Sequence, residues 1–141
     1  LAGHTPLAVG AYVYGRTEMM ISEYCVINAV MAGCSKDRCP VPCMKHEYFL
    51  KDRLGKRFPV KTDAWCHMHI LNAQMLDARP YIPQLTEAGI RKFQIDGRTA
   101  DGNLEKICAS FRGILDGKEA PPSPESSGNT VTRGHFIKGV L

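Results

Sequence analysis

The sequence lacks several features that would assign it to a functional class at once. No apolar run reaches the ~18 residues that a membrane-spanning helix needs. The start, residues 1–4, has no basic region followed by an apolar core, so it does not predict a signal peptide. An initiator Met is also missing, which suggests a fragment of a longer protein. We therefore expect a cytoplasmic chain with no membrane span.

Familiar catalytic motifs are missing as well. The sequence contains no Ser nucleophile elbow, no HExxH zinc-protease motif and no phosphate-binding glycine loop. A cysteine protease would need one activated Cys with a His partner, and Cys66 with His135 is the pair to consider. A cysteine that binds a metal cluster is not a free nucleophile, so this pairing competes with the metal-site interpretation below.

What is present is the composition of a folded protein with a modest positive charge. A hydrophobic content of 44% and a charged content of 23% are ordinary for a globular domain, and 141 residues fit one domain or part of a larger one. The net charge is +4. Many of the basic residues fall together, namely Lys36, Arg38, Lys45, Lys51, Arg53, Lys56, Arg57 and Lys61. This group predicts either a footprint for phosphate or RNA or a solvated face that offsets the negative charge of nearby thiolates.

Cysteine is the most informative residue type. Six cysteines without a secretory signal favour metal binding or redox chemistry over a disulfide framework. Cys39 and Cys43 form a close pair that Pro40 and Pro42 make rigid. Cys108 lies on the apolar stripe of a predicted helix and is expected to be a small buried core residue.

A set of four cysteines is predicted to bind one inorganic centre. Cys25, Cys39, Cys43 and Cys66 come from segments that loops can bring together. Cys34 either replaces Cys39 or is free. Four thiolates hold zinc or an iron–sulfur cluster. Because zinc ribbons usually show two close pairs, one pair with two single cysteines favours a [4Fe–4S] cluster, with zinc as the alternative.

Histidine and arginine supply the other candidate site residues. His67 and His69 lie two apart and would share a face of a strand, and His69 near a cluster would carry protons or contact substrate. His135 follows a glycine that permits close backbone approach. Arg16 lies where a predicted strand ends and is a candidate anion binder.

The order of predicted elements indicates an α/β fold. We expect strands at 11–14 and 91–96, a hairpin of 48–50 with 58–60, and a short helix that Gly33 ends. Residues 35–46 form the loop around the site, and 62–70 return Cys66 to it as strand or loop. Asn72 is predicted to begin a helix that breaks at Pro80 and ends at Gly89. The last helix is expected to start at Asp101 or Asn103, to end at Gly117, and to bury Leu104, Ile107, Cys108, Phe111, Ile114 and Leu115.

Taken in combination, these residues resemble a known family. The resemblance depends on residues 13–16, 19–25, 50–53 and 58–60, on Asp63, Cys66 and Asn72, and on a tail over 132–136 and 139–140. Together they are similar to the collagenase-like peptidase family U32 over residues 12–140. The glycine of the family signature corresponds to Gly15. In the signature a Glu lies five residues before this glycine and a Cys three residues after it, whereas this chain has Gly10 and Glu18 at those positions. Cys25 matches the second Cys of the signature.

The resemblance implies a fold and a domain organisation. Members have a (β/α)-barrel-type domain, so residues 1–118 would be the later part of such a barrel, with the cysteine-rich insertion at 25–66. Residues 119–131 would be a Pro/Ser-rich linker and 132–141 a closing segment. The earlier, N-terminal barrel portion would be missing from this sequence.

The resemblance also implies an activity. Several members look like RNA- or quinone-modifying enzymes that carry a [4Fe–4S] cluster and perform oxygen-independent hydroxylation with prephenate as the oxygen donor. The ligands here would be Cys25, Cys39, Cys43 and Cys66, with Cys34 competing for the last place. The substrate would be RNA or a small ring compound.

The same resemblance assigns roles to arginines and histidines and leaves two other functions open. Arg16, Arg53 and Arg133 would bind anionic groups, and His69 or His135 would handle protons. One alternative is a protease that acts on collagen-like chains, as the family name implies. The other is a zinc-stabilised binding module without chemistry.

Overall fold

A computed structural model describes residues 5–98, 103–119 and 131–132. It has the mixed α/β content that the sequence predicts, with two four-stranded sheets, and the described residues form no closed barrel. The chain divides into two compact units, one of residues 1–16 with 74–141 and one of residues 17–73. The predicted cysteine-rich insertion, 25–66, lies inside the second unit. No helix among the described residues has the length and apolarity to cross a bilayer.

The elements are numbered in chain order. The strands are β1 (Gly10–Gly15), β2 (Glu18–Ser22), β3 (Tyr48–Lys51), β4 (Arg57–Thr62), β5 (Met68–Leu71), β6 (Met75–Asp77), β7 (Lys92–Ile95) and β8 (Val131–Thr132). The helices are α1 (Val26–Met31), α2 (Ile82–Glu87) and α3 (Leu104–Leu115). Among the described residues, short 3₁₀ turns cover Lys36–Arg38, Pro42–Met44 and Arg79–Tyr81.

The first unit is a mixed sheet in the order β7-β1-β6-β8. β1 pairs in parallel with β7 and antiparallel with β6, and β6 pairs in parallel with β8. α2 and α3 supply Ile82, Phe111 and Ile114 to a core with Val13 and Tyr14 of β1. The ring of Tyr14 meets that of Phe111 edge-on, at 6.1 Å between centroids. This edge-to-face geometry adds to the apolar burial that holds the helices on the sheet.

Helix α3 begins where the sequence predicts. The Asn103 side chain accepts hydrogen bonds from the backbone N–H groups of Glu105 and Lys106, which makes it the N-cap. Gly117 follows the helix with a φ of +89°, as expected for a glycine just past a helix end. Asp101, the other predicted cap, lies outside the described residues.

Two predictions about the first unit are wrong. Asn72 does not begin a helix, because Met75, Leu76 and Asp77 form β6 and pair with β1 instead. The helix starts only at Ile82, after the prolyl 3₁₀ turn. Cys108, Leu104 and Leu115 are exposed rather than buried, because α3 packs through the narrower stripe of Ile107, Phe111 and Ile114.

The second unit is an antiparallel sheet in the order β2-β5-β4-β3 with α1 packed on one face. The predicted hairpin is confirmed as β3 and β4, with Tyr48 opposite Val60. Gly33, with a φ of +58°, follows α1 as predicted. The sequence does not predict β2, whose apolar residues are exposed. Ile27 of α1 packs against Val60, and together they form a small core with Met68 and Ile70.

Most of the predicted linker and of the closing segment lies outside the described residues, namely residues 120–130 and 133–141. Within these segments, Val131 and Thr132 form β8, opposite Met75 and Leu76. The boundaries at 118, 131 and 132 therefore stay predictions.

Gly15 is expected to be essential to the first unit. Its φ is +128°, and a Cβ there would clash with the hydroxyl of Tyr12 and lie 2.7 Å from Cβ of Asp96. Gly15→Ala should therefore destabilise the chain by about 2–4 kcal/mol, from strain and overlap together. Urea unfolding measures this change as a lower midpoint.

Gly33→Ala is the matched control for this substitution. Gly33 also has a positive φ, but no atom lies within 4 Å of the position that a Cβ would take. Only backbone strain of about 1 kcal/mol is therefore expected. Equal midpoints for the two variants would contradict the steric argument at Gly15.

Candidate metal centre

The four cysteines predicted as ligands line one cavity. This cavity lies in the second unit, has a volume of ≈ 80 Å³, and contains Cys25, Cys39, Cys43 and Cys66 in its wall. The other lining residues are Ile27, Asn28, Val41, Pro42 and Thr62. A single water needs about 10–15 Å³, so a group of several atoms can enter. All six cysteines of the chain are free thiols.

Cys25 is positioned by the start of α1. It is the N-cap residue, and its Sγ accepts a hydrogen bond of 3.4 Å from the backbone N–H of Asn28. Ser, Thr, Asp and Asn are the usual residues at this place, so a sulfur there is unusual. Its acceptor role also suits a thiolate.

Cys39 and Cys43 are held by the proline-rich loop. Pro42 begins the 3₁₀ turn Pro42–Met44, and the backbone N–H of Met44 donates to the carbonyl of Val41. Val41 itself has a φ of 52°, the left-handed conformation. This conformation is costly for a β-branched residue, so the loop keeps it only because its surroundings require it.

Cys66 is held by a tight turn that Asp63 organises. The Asp63 carboxylate accepts hydrogen bonds of 2.9 Å from the backbone N–H groups of Trp65 and His67. The backbone N–H of Cys66 donates to the Asp63 carbonyl, and Cys66 has a φ of 62°. Val41 and Cys66 are the non-glycine residues with positive φ in the described part of the chain, and both line the cavity.

Cys34 lies apart from this set. It does not line the cavity, and its Sγ donates to the side-chain oxygen of Asn28 at 3.4 Å. The amide of Asn28 donates back to the Cys34 carbonyl at 2.7 Å. The sequence left Cys34 open as a substitute for Cys39 or Cys66, and the structure gives it a different neighbourhood from both.

The cavity wall supplies four sulfur donors. Within residues 5–98, 103–119 and 131–132, no three His, Cys, Asp or Glu side chains form a ready-made site for one metal ion. Thiolates that share one zinc at about 2.3 Å lie about 3.8 Å apart, whereas in a four-iron cluster each thiolate binds a different iron. The cluster and the zinc ion both stay predictions.

Beside Cys66, two histidines and two carboxylates form a chain of polar contacts. Nδ1 of His67 lies 2.7 Å from Oδ2 of Asp63, and Nδ1 of His69 lies 2.6 Å from Oε2 of Glu18. Nε2 of His69 is 3.5 Å from Oδ2 of Asp63, too long for a well-formed hydrogen bond. Among the described residues this buried nitrogen has no better partner.

The pKa values of Asp63 and His69 both shift in the direction that favours the charged form. Partial burial raises the pKa of Asp63, but hydrogen bonds from His67 and Trp65, with a smaller contribution from the more distant His69, outweigh it and lower the pKa to about 2. The hydrogen bond to Glu18 raises the pKa of His69, burial opposes it, and Asp63 adds to it. His69 is therefore charged over a wider pH range than a free histidine.

His69 does not line the cavity. Register pairs it with Ile21 and Lys61, whereas its neighbours Met68 and Ile70 are buried in the core below α1. Because successive strand residues point to opposite faces, His69 lies on the sheet face away from α1. Sequence reasoning missed its partner Glu18, which is 51 residues away and carries no local signal.

The predicted arginines and the second histidine belong to different segments of the chain. Arg16 follows β1 in the first unit. Arg53 lies in the exposed turn of the β3–β4 hairpin and does not line the cavity. Arg133 and His135 lie outside the described residues. Their predicted roles stay predictions.

A pH titration tests the His69–Glu18 contact. Because the pKa of His69 is raised on folding, its stabilising effect is complete below the unfolded value of about 6.5 and is lost as pH rises through the folded pKa. Glu18→Gln should lower the pKa of His69, followed by NMR of the imidazole protons. It should also reduce the loss of stability between neutral and mildly alkaline pH.

Glu47→Gln serves as the control for this titration, because Glu47 pairs with Lys61 and not with a histidine. It should leave the His69 titration unchanged. An identical His69 titration in the parent chain and Glu18→Gln would contradict the contact.

Comparison with known proteins places the chain in a family. The 23S rRNA 5-hydroxycytidine C2501 synthase of Escherichia coli (strain K12) is 29% identical over 115 residues, which make up 79% of this chain and 16% of that protein. The chain thus spans about a sixth of the length of this curated relative. No solved structure matches this chain significantly. The sequence profile of peptidase family U32 matches residues 1–133, and the chain therefore belongs to peptidase family U32.

Proposed function

We propose that this chain is part of an RNA-modifying enzyme in which Cys25, Cys39, Cys43 and Cys66 hold a [4Fe–4S] cluster. The observation that carries the proposal is that these four residues, from three separate segments, line one cavity. The positive φ at Val41 and Cys66 supports it. Strained backbone persists where surrounding structure enforces it, and it clusters at functional sites.

The spacing of the cysteines along the sequence favours a cluster over zinc. One close pair, Cys39 and Cys43, with two single cysteines, Cys25 and Cys66, differs from the two close pairs of a zinc ribbon. Four thiolates also form structural zinc sites. Zinc is therefore the rival that the experiment must separate.

The proposed reaction is hydroxylation of a pyrimidine base in RNA. The relative is named as a synthase of 5-hydroxycytidine in 23S rRNA, which makes cytidine in ribosomal RNA the substrate to test. When bound, the cluster would supply electron-transfer chemistry. The cysteines of this chain would hold it, and the apolar wall from Ile27 and Val41 would limit the access of water. A cytoplasmic setting is part of the same proposal.

Proton handling would fall to the histidine–carboxylate chain. His67 adjoins the ligand Cys66, and Asp63 lies between His67 and His69. His69 would therefore act on the site through Asp63 rather than by direct contact. Arg16 and Arg53, with Arg133 and His135, are proposed to bind anionic groups and protons as predicted from the family.

The first unit is proposed to be part of a (β/α) barrel that other portions of the protein complete. The parallel pair β1–β7 supports this, because α2 precedes β7 and α3 follows it as in a repeating β–α unit. The antiparallel pairing of β6 with β1 departs from the barrel pattern.

Anaerobic reconstitution tests the cluster. The chain should take up about four irons and four sulfides and develop thiolate–iron absorption in the visible region. Cys39→Ser should lose most of the iron. Trp65, the single tryptophan of the chain, adjoins Cys66 and is 75% exposed. Its fluorescence should be quenched on loading, because the cluster absorbs where tryptophan emits.

Cys34→Ser is the matched control, because Cys34 lies in the same segment but does not line the cavity. It should keep the iron of the parent chain. One zinc per chain without sulfide would reject the cluster, and equal iron loss in both serine variants would reject the ligand set.

Activity is tested in cells. Nucleoside mass spectrometry of ribosomal RNA should detect hydroxycytidine when the cellular copy of this sequence is intact or carries Cys34→Ser. Cys39→Ser should abolish it. Unchanged hydroxycytidine in Cys39→Ser, or cleavage of collagen-like peptides that survives it, would contradict the proposal.

A further inference from the structure

The positive charge of the chain is concentrated in one hairpin. Residues 45–61, called the basic hairpin below, comprise β3, β4 and their flanks and carry six basic and two acidic side chains. Their net charge of +4 equals that of the whole chain, so basic and acidic residues balance elsewhere. A positive charge confined to one element is the footprint of a surface that binds a polyanion.

Three of these cations share one face of the sheet. Register places Lys51 opposite Arg57 on the neighbouring strand, and Lys61 opposite His69. Directly opposite residues of antiparallel strands project to the same side, and Arg57 and Lys61 are separated by an even number of positions. Val60, which projects from β4 to the opposite side, is buried in the core below α1. The cations therefore lie on the face away from the cysteine cavity.

The charge on this face is available to an external anion. Lys51, Arg57 and Lys61 are all exposed. Nζ of Lys61 lies 3.6 Å from Oε1 of Glu47, but both side chains are half-exposed or more, so water screens the pair. Within the described part of the chain, Lys51 and Arg57 form no ion pair.

An aromatic ring accompanies these cations. The guanidinium of Arg57 lies 4.1 Å from the ring centroid of Phe49, and Phe49 is 37% exposed on the edge strand β3. The cation–π contact holds the guanidinium plane in a fixed position. Unpaired bases stack on aromatic rings and on guanidinium planes, so this pair offers a base contact as well as a charge.

We propose that this face binds single-stranded RNA, with Lys51 and Lys61 on phosphates and the Arg57–Phe49 pair against a base. The proposal rests on the proposed function, which makes RNA the partner. A lipid surface or an acidic protein would match the charge but would make no use of the stacking pair. Regular RNA duplexes hide their base faces, so unpaired segments fit best.

Binding of a labelled single-stranded RNA of mixed sequence, followed by fluorescence anisotropy, tests this surface. Lys51→Gln/Arg57→Gln/Lys61→Gln should lower the affinity at least tenfold in 0.1 M salt. Each phosphate contact to a single strand contributes about 0.7 to the slope of log K against log salt. The loss of the two phosphate contacts of Lys51 and Lys61 should therefore reduce that slope by about 1.4.

The matched control removes the same charge elsewhere. Lys106→Gln/Arg112→Gln/Lys118→Gln replaces three exposed cations on and after α3. This variant should bind RNA within about twofold of the parent chain, with a nearly unchanged salt slope. Far-ultraviolet circular dichroism should show the parent fold in both triple variants.

Phe49→Leu separates stacking from charge. It should weaken RNA binding severalfold without changing the salt slope, because it removes a ring and no phosphate contact. An RNA duplex of the same length should bind more weakly than the single strand. Unchanged affinity in Phe49→Leu, or preference for the duplex, would overturn the assignment to single strands.

Three further outcomes would overturn the interface. They are equal losses in both triple variants, no RNA binding by the parent chain, and tighter binding to phosphatidylserine vesicles than to RNA. Iron content, measured on the same samples, separates this proposal from the cluster. The hairpin variant should load as much iron as the parent chain. If neither chain loads iron but the hairpin variant still binds RNA more weakly than the parent, the cluster is rejected and the RNA-binding surface stands.

Discussion

The packing of α1 on the second sheet is the constraint on which the cysteine cavity depends. Ile27 lies against Val60 and Met68, and this small apolar core also contacts Cys25 and Cys43. Cys25 and Cys43 thus reach the same cavity because the segments that carry them are anchored to a common core. Loss of that packing would separate them, since the segments that carry them are otherwise loops and turns. Apolar burial and ligand placement are therefore one requirement in this unit.

The magnitudes show why the strained backbone persists. A left-handed non-glycine residue costs about 1–3 kcal/mol, and the cavity wall holds two, Val41 and Cys66. Burial of one Ile or Val side chain contributes about 1.5–3 kcal/mol. The core of Ile27, Val60 and its neighbours therefore offsets the strain, with little to spare in a unit of this size. Ligation by a cluster that binds only the folded form would add stability.

The sheet of the second unit separates two kinds of chemistry on its two faces. One face carries the apolar residues that seat α1 and the cavity, and the other carries His69 with the exposed cations of the basic hairpin. The alternation of side chains along a strand makes this separation possible. The proposed substrate-binding surface and the proposed metal centre thus lie on opposite faces of this sheet.

The sequence by itself determined what local chemistry controls: the β3–β4 hairpin, the cap of α3 at Asn103, and the family. It failed at Asn72, where strand pairing with β1 overrode a good helix N-cap, and at Cys108, which the helix leaves exposed. Tertiary structure alone decided that Cys34 stands apart from the cavity and that His69 meets Glu18. Capping and periodicity act over a few residues and can be read along the chain. Strand pairing and the choice of face depend on residues distant in sequence, so they exist only once the chain has folded.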